Sequence, residues 1–269
     1  MNCAHHVFRD WLIADYNDQV IIGDIISTYG KYDKDLNWEG YKITHPDVVV
    51  CSNIKDTNNP LSVKNIKVAF PKAQIIVCEF WRFSGFWPNK LTKKHPSGWW
   101  RDNTWDDYSC YESWINQKIS PEVINRNYKE SIDKLKQMER VSDIKALDYI
   151  MDNHKDIQLF SDYWHPTEVL FKHLFQQIIT KIGLKFVEPG TMSDNFFPRY
   201  TPILNCVYDM LELKFNSDLI WEQFAASSFK VIKSFDQHKI EKLSGSNWEI
   251  SKPFATPREF YEWLRETKK

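Results

Sequence analysis

The chain has 269 residues, 42% of them apolar, with 35 basic against 36 acidic side chains and a net charge of −1. A chain of this length buries about three quarters of its unfolded surface without disulfide or metal staples. Near-cancelled charge excludes the basic field that nucleic-acid binding requires, and apolar runs such as Val48 to Cys51 and Ile75 to Cys78 fall far short of the roughly 20 residues of a membrane span.

In chain order, Ala4 to Tyr16 places Val7, Trp11 and Leu12 on one face of a short amphipathic helix. Arg9, Asp10 and Asp15 interrupt what would be the apolar stretch of a signal peptide, which predicts a cytoplasmic protein. Val20-Ile21-Ile22, Val48-Val49-Val50 and Ile75-Ile76-Val77 are β-branched runs of the kind found in buried parallel strands. Ser62 to Phe70, between the last two, is long enough for a crossover helix. From Pro121 to His154 the residues Tyr128, Ile132, Leu135, Met138, Ile144, Leu147 and Ile150 recur at helical spacing, with Ser142-Asp143 as a cap where two helices meet. Ile157 to Phe160 reads as a further strand. Pro166 to Gly183 is the clearest helix, with Leu170, Leu174, Ile178 and Ile182 at i+4 and Gly183 just past its end. Glu188 to Pro202 reads as a loop, and Asn205 to Phe215 and Pro257 to Thr267 as helices. With no repeat or linker, the expectation is one α/β domain over 1–269, a small parallel sheet of SGNH- or flavodoxin-like type with helices predominating, and a helical part from about 184 to 269 packed on it.

Cys3, Cys51, Cys78, Cys110 and Cys206 are odd in number and form no C-x-x-C pair, so free thiols are expected and no zinc site. The lone D-x-D at Asp33-Lys34-Asp35 has the form of a metal-dependent glycosyltransferase motif but stands without support, and no metal is expected.

Three segments carry possible chemistry. Cys3 precedes a helix start and is followed by His5 and His6, a setting that favours thiolate; the alternative, which these residues by themselves favour, is a frayed terminus with adventitious histidines. In Asp162-Tyr163-Trp164-His165-Pro166-Thr167-Glu168, Pro166 suits the first helical position and Glu168 the third, which puts His165 at or next to the N-cap. There the helix dipole keeps the imidazole neutral and able to accept a proton, with Asp162 orienting it; the alternative is a capping histidine and a solvated carboxylate. From Glu79 to Trp114 aromatic residues, Trp81 and Trp87 among them, follow a strand end, where ligands bind in open α/β sheets. Their faces suit a sugar ring or adenine, or else they close a core. Lys90, Lys93, Lys94 and Arg101 suit phosphates, or a solvated face.

Asn2-Cys3, Phe70-Pro71 leading to Phe83-Ser84-Gly85-Phe86-Trp87-Pro88, and Leu159-Phe160 leading to Trp164-His165-Pro166-Thr167 occur in the order seen in the WcbI-type polysaccharide biosynthesis family, which the chain resembles from Met1 to about Gly183. Members of that family usually open with a strand followed by Gly-Asn-Cys-Gln, and here Ala4 stands where Gln is usual. The order of a cysteine in place of the SGNH serine and a late D-x-x-H also resembles SGNH hydrolases. The resemblance implies an acyltransferase moving an acetyl group from acetyl-coenzyme A to a hydroxyl or amino group of a sugar. It implies His165 as general base, Asp162 as its orienting acid, and Cys3 as nucleophile or pocket wall beside backbone N–H groups that hold the oxyanion. His6, Ser84, Lys90, Lys93 and Arg101 are the implied coenzyme A contacts, and Arg82, Trp81 and Trp87 the sugar contacts. An SGNH-like carbohydrate esterase and a non-catalytic carbohydrate-binding protein are the competing readings.

Overall fold

Val48–Cys51 (β1) and Gln74–Val77 (β2) pair in parallel, Val48 opposite Gln74 and Cys51 opposite Val77, in a computed structural model that describes residues 3–21, 45–55, 57–88, 115–190 and 203–215. Helices predominate over this two-stranded sheet among the described residues. They are α1 (Cys3–Tyr16), α2 (Val63–Ala69), α3 (Pro121–Val141), α4 (Leu147–Asn153), α5 (Glu168–Lys181) and α6 (Asn205–Leu211). No helix among the described residues is long and apolar enough to cross a membrane. The chain divides into two compact units, one of residues 1–82, 133–152 and 166–196, the other of residues 83–132, 153–165 and 197–269.

In the first unit, α2 is the crossover that parallel strands require. Ser62 caps it by accepting a hydrogen bond from the Asn65 backbone N–H at 3.3 Å, and the Asn65 side chain in turn ties down Thr57 and Asn59. Ser142 and Asp143 do not join two abutting helices as the sequence suggests. Asp143 accepts the Val77 N–H at 2.7 Å and donates its own to the Val77 carbonyl, so this pair satisfies the open edge of β2. The start of α4 is held instead by Glu139, whose Oε2 accepts from Ala146 and Leu147. A carboxylate one turn from the end of α3 was near enough to do the capping, which left Asp143 for the sheet.

Helix α5 buries Leu170, Phe171, Leu174, Phe175, Ile178 and Ile179. It ends in a Schellman motif: Gly183 takes φ +80 and donates to Thr180, and Leu184 donates to Ile179. Against it lies α1, with Phe8 stacked on Phe175 at 5.7 Å and Trp11 at 5.3 Å from the same ring. The buried face of α1 is Val7, Phe8 and Trp11, with Leu12 only half-buried, so it is turned one residue from the expected face. Tyr16 completes the packing by donating to the Lys185 carbonyl and accepting from Val187.

Among the described residues, two expected strands do not form. Val20 and Ile21 follow directly on the turn closing α1, neither lies in a strand and Ile21 is 92% exposed, whereas a strand in a parallel sheet is buried; Ile22 lies outside the described residues. Ile157 to Phe160 forms no strand because Asp156 and Ile157 both donate back to Asn153, and only Phe160 makes an isolated bridge. Helix α6 is shorter than expected, ending where Glu212 adopts the left-handed conformation at φ 53. Asp33-Lys34-Asp35 and the helix expected at Pro257 to Thr267 also lie outside the described residues, as does most of Glu188 to Pro202.

The second unit packs around aromatic rings. Phe83 meets Phe86 edge-on at 4.9 Å, Phe160 at 5.5 Å and Tyr128 at 5.9 Å, while the buried His154 bonds to the Tyr128 hydroxyl and stacks on Phe86. The loop carrying Phe83 to Trp87 is pinned to α3 from two positions one turn apart. Asn127 donates to the carbonyls of Ser84 and Gly85, and Ser131, which itself donates to the Asn127 carbonyl, receives the Ser84 hydroxyl at 2.8 Å.

Candidate active site

Residues Ser161 to His165 form a closed loop within the second unit. The Ser161 backbone N–H and hydroxyl both donate to the His165 carbonyl, at 2.9 and 3.1 Å. Inside that ring sits the Asp162 carboxylate. Its Oδ1 accepts from the backbone N–H of Trp164 at 2.6 Å and of His165 at 2.8 Å, the local bonding to which short carboxylates are suited. The His165 ring closes on the same group, its Nδ1 lying 2.9 Å from Oδ1 and 2.8 Å from Oδ2.

This geometry decides the tautomer. A carboxylate accepts, so with this partner Nδ1 carries a hydrogen, and when the ring is neutral Nε2 carries the lone pair. The Asp162 side chain is 10% exposed and that of His165 31%, so the acid is enclosed while the imidazole reaches the surface. A ring oriented at Nδ1 by a buried acid is the arrangement that makes a histidine a general base.

The reason given by the sequence for a neutral histidine needs correction. The N-cap of α5 is Thr167, so helical geometry begins at Glu168, and His165 and Pro166 both precede the cap. Pro166 is therefore not the first helical residue, and Glu168 is that residue rather than the third. Dipole effects decay within the first turn, so the ring is governed by Asp162.

Other anticipated residues are placed as follows. Cys3 is the first residue of α1, and His6 is half-buried on the same helix in the first unit. Ser84 is buried with its hydroxyl engaged by Ser131. Trp81 and Trp87 are each 1% exposed, so neither presents a ring face to a ligand in this structure. Arg82 is exposed and its charge acts on Glu79. Lys90, Lys93 and Arg101 lie outside the described residues.

In the first unit, Ser52, Cys78, Glu79 and Trp81 line a cavity of about 10 Å³ near the C-terminal end of β2, room for a single water and not for a sugar or an adenine. Burial pushes the Cys51 thiol up to about 11 and the Cys78 thiol up to about 12, which makes both poor nucleophiles. Glu79 is also raised above the usual carboxylate range by burial, against the opposing pull of Asn53, Arg82 and Lys55. Among the described residues no group of three His, Cys, Asp or Glu side chains is placed to hold a metal.

Sequence reasoning assigned no role to Tyr163 and Trp164. Both are half-buried, with ring centroids 4.9 Å apart and planes at 50°. Their signal was two consecutive aromatic residues filling a tight turn, where small polar residues are the rule.

The family of the polysaccharide biosynthesis enzyme WcbI matches residues 34–186, a stretch that includes both the Phe83 to Pro88 loop and the Asp162 to Thr167 segment and begins after Cys3. No curated protein sequence matches the chain. A solved structure of WcbI, the native protein without a disulfide bond between coenzyme A and one of its cysteines, is similar over 83% of this chain and 82% of its own, at 14% identity and a TM-score of 0.46.

Proposed function

The chain belongs to the family of the polysaccharide biosynthesis enzyme WcbI, and from that premise we propose that it transfers an acetyl group from acetyl-coenzyme A to a hydroxyl or amino group of a nucleotide-linked or glycan-building sugar. The observation that carries the proposal is the Asp162 carboxylate against His165 Nδ1 at 2.8 Å. The acyl donor enters through the family resemblance, carried by Phe83 to Pro88 and Trp164 to Thr167. The compartment is the cytoplasm, which supplies coenzyme A thioesters and nucleotide sugars.

In the proposed reaction His165 Nε2 takes the proton from the sugar hydroxyl as its oxygen adds to the thioester carbonyl. Asp162 stabilises the imidazolium that results. The tetrahedral intermediate then expels the thiolate, breaking the C–S bond, and the imidazolium returns the proton to sulfur. The products are the acetylated sugar and coenzyme A, and the histidine is neutral again. Cys3 belongs to the proposal on the resemblance alone, as a residue that accepts the acetyl group as a thioester or lines the pocket. Direct transfer needs only the base and oxyanion donors.

Calorimetric titration with coenzyme A and acetyl-coenzyme A, followed by assay of His165→Ala, tests the reading. Binding of the donor and a loss of turnover on the order of 10²–10⁴ with the fold retained are expected. No binding at millimolar donor, or near-normal turnover without His165, overturns it. Release of acetate with no sugar acceptor consumed points instead to an esterase.

A further inference from the structure

We propose that the carboxyl end of the sheet binds the oxygen of one O–H group, which accepts from the Trp81 indole N–H and donates to the Glu79 carboxylate. This goes beyond the acyl-transfer reading and does not depend on it.

The argument starts from an unmet donor. Trp81 is 1% exposed, and its Nε1 is buried with no hydrogen-bond partner in the protein. An indole nitrogen donates only, and folded proteins pair nearly every buried donor with a protein group or an ordered water. The partner of Nε1 therefore has to come from space beside Trp81. The cavity of about 10 Å³ that Trp81 lines is such a space, sized for one oxygen atom. Whatever fills so small a volume touches its walls together, and Ser52 and Glu79 stand in those walls opposite the apolar Phe171 and Leu174.

The walls are fixed by the strands. Ser52 and Cys78 are the residues that follow β1 and β2. The Cys78 N–H donates to the Cys51 carbonyl at 2.8 Å, and the Glu79 N–H donates to the Ser142 hydroxyl at 3.2 Å. Every residue lining the cavity belongs to the first unit. Open α/β sheets bind their ligands at this end of the strands.

An O–H group is the chemistry that fits. The Glu79 carboxylate already accepts from the Asn53 side chain and the Phe80 N–H, and with about four lone-pair sites it has capacity for a further donor. An ammonium would give Nε1 nothing to donate to, and an anion would meet the charge of Glu79. A hydroxyl accepts from the indole and donates to the carboxylate, and it serves equally when the carboxyl is protonated, a state that burial of Glu79 favours. Two sources supply such a group. Water fits the volume whole, and a hydroxyl of a larger molecule reaches in from Ser52, Glu79 and Phe80, which are half-buried and so partly at the surface.

Nuclear magnetic resonance of the full chain labelled with nitrogen-15 tryptophan provides the test. The Trp81 indole signal is the one that Trp81→Phe removes. A cross-peak from its N–H to water, with the sign given by a long-lived bound molecule, is expected. Ser52→Ala, which removes the exchangeable hydroxyl of the wall, should keep that cross-peak, and Glu79→Leu should lose it. Added methyl β-D-glucopyranoside distinguishes the sources: with water as the ligand the cross-peak persists, and with a ligand hydroxyl it gives way to cross-peaks from the sugar ring protons. Absence of any cross-peak from the Trp81 N–H to water or sugar, its disappearance in Ser52→Ala, or equal strength in Glu79→Leu overturns the proposal. Glu79→Met replaces Glu79→Leu should circular dichroism show the latter unfolded, with the same loss expected. None of these measurements involves acyl transfer, so their outcome is separate from that of the acetyltransferase assay.

Discussion

Replacing Asp162 by Asn separates a catalytic acid from a turn-forming one. As a turn former the two are nearly interchangeable, because the Asn carbonyl oxygen still accepts from the Trp164 and His165 N–H groups, which the wild-type Oδ1 holds at 2.6 and 2.8 Å. Two charge-assisted bonds become neutral ones, a difference of about 1 kcal/mol each, so the loop should weaken by roughly 1–2 kcal/mol and remain folded. The ring fares differently. Oδ2 lies 2.8 Å from His165 Nδ1 and becomes an amide NH₂, which donates. The remaining carbonyl oxygen, 2.9 Å from Nδ1, already accepts two backbone N–H groups, so the new NH₂ favours the tautomer in which Nδ1 accepts and Nε2 becomes an N–H unable to accept a proton. In a serine-protease triad the same replacement lowers kcat by about 10⁴; here a loss of 10²–10⁴ is expected, about 3–5 kcal/mol on the barrier. Release of coenzyme A from acetyl-coenzyme A in the presence of acceptor, followed with a thiol-reactive chromophore, measures the rate. Nitrogen-15 shifts of the imidazole read the tautomer directly. A variant that keeps the Nδ1–H tautomer, or turns over within threefold of wild type, would refute the assignment.

Three further outcomes are expected elsewhere in the fold. His173 stacks on Tyr149 at 4.0 Å and accepts at Nε2 from Gln177, and burial lowers its affinity for a proton below the usual 6.5. The unfolded chain then binds the proton first, so this contribution to stability is present above pH 6.5 and is lost as pH falls through the folded-state value; urea unfolding from pH 7.5 to 5 should show a steeper loss for wild type than for His173→Phe. A Cβ at Gly85 would lie 2.3 Å from the Phe83 ring, so Gly85→Ala should lose about 1–3 kcal/mol, while Gly190→Ala, with nothing within 4 Å, serves as the neutral control; equal melting temperatures would refute the clash. Glu212 holds a left-handed conformation that costs a non-glycine residue about 1–2 kcal/mol, against an exposed ion pair to Lys155 of little worth, so Glu212→Gly should raise stability by roughly 0.5–1 kcal/mol in denaturant titration.

What could be read from the sequence was whatever one element decides for itself. Val48 to Val50 and Ile75 to Val77 are strands because consecutive β-branched residues suit a buried ladder, Ser62 starts α2 because its hydroxyl reaches Asn65, and Gly183 ends α5 because only glycine takes that φ easily. The errors arise where two local rules compete. Pro166 and Thr167 both suit a helix start, and the hydroxyl residue became the cap, displacing His165 from the helix dipole. Asp143 suits a cap but was taken by the bare edge of β2. The run of aromatic residues from Glu79 to Trp114 marks aromatic chemistry without telling which rings face inward; that depends on neighbours distant in sequence. The Asp162–His165 pairing was readable because its whole geometry lies within four residues.

That locality has a consequence for how substitutions in the loop should divide between binding and chemistry. Asp162 serves three donors at once, two of them backbone groups that shape the turn and one the ring that accepts the proton. Asp162→Asn preserves the first function and disrupts the second, so in the proposed reaction it should lower kcat and leave the acceptor KM close to wild type. Asp162→Ala removes both, releasing the Trp164 backbone together with the imidazole, and should lower kcat and raise KM together. The two patterns differ in kind and not merely in size, and a single acceptor titration on each variant distinguishes them. If Asp162→Ala and Asp162→Asn shift KM equally, the backbone bonds to Oδ1 do not position the acceptor, and the shared carboxylate links the fold of the loop to the base alone.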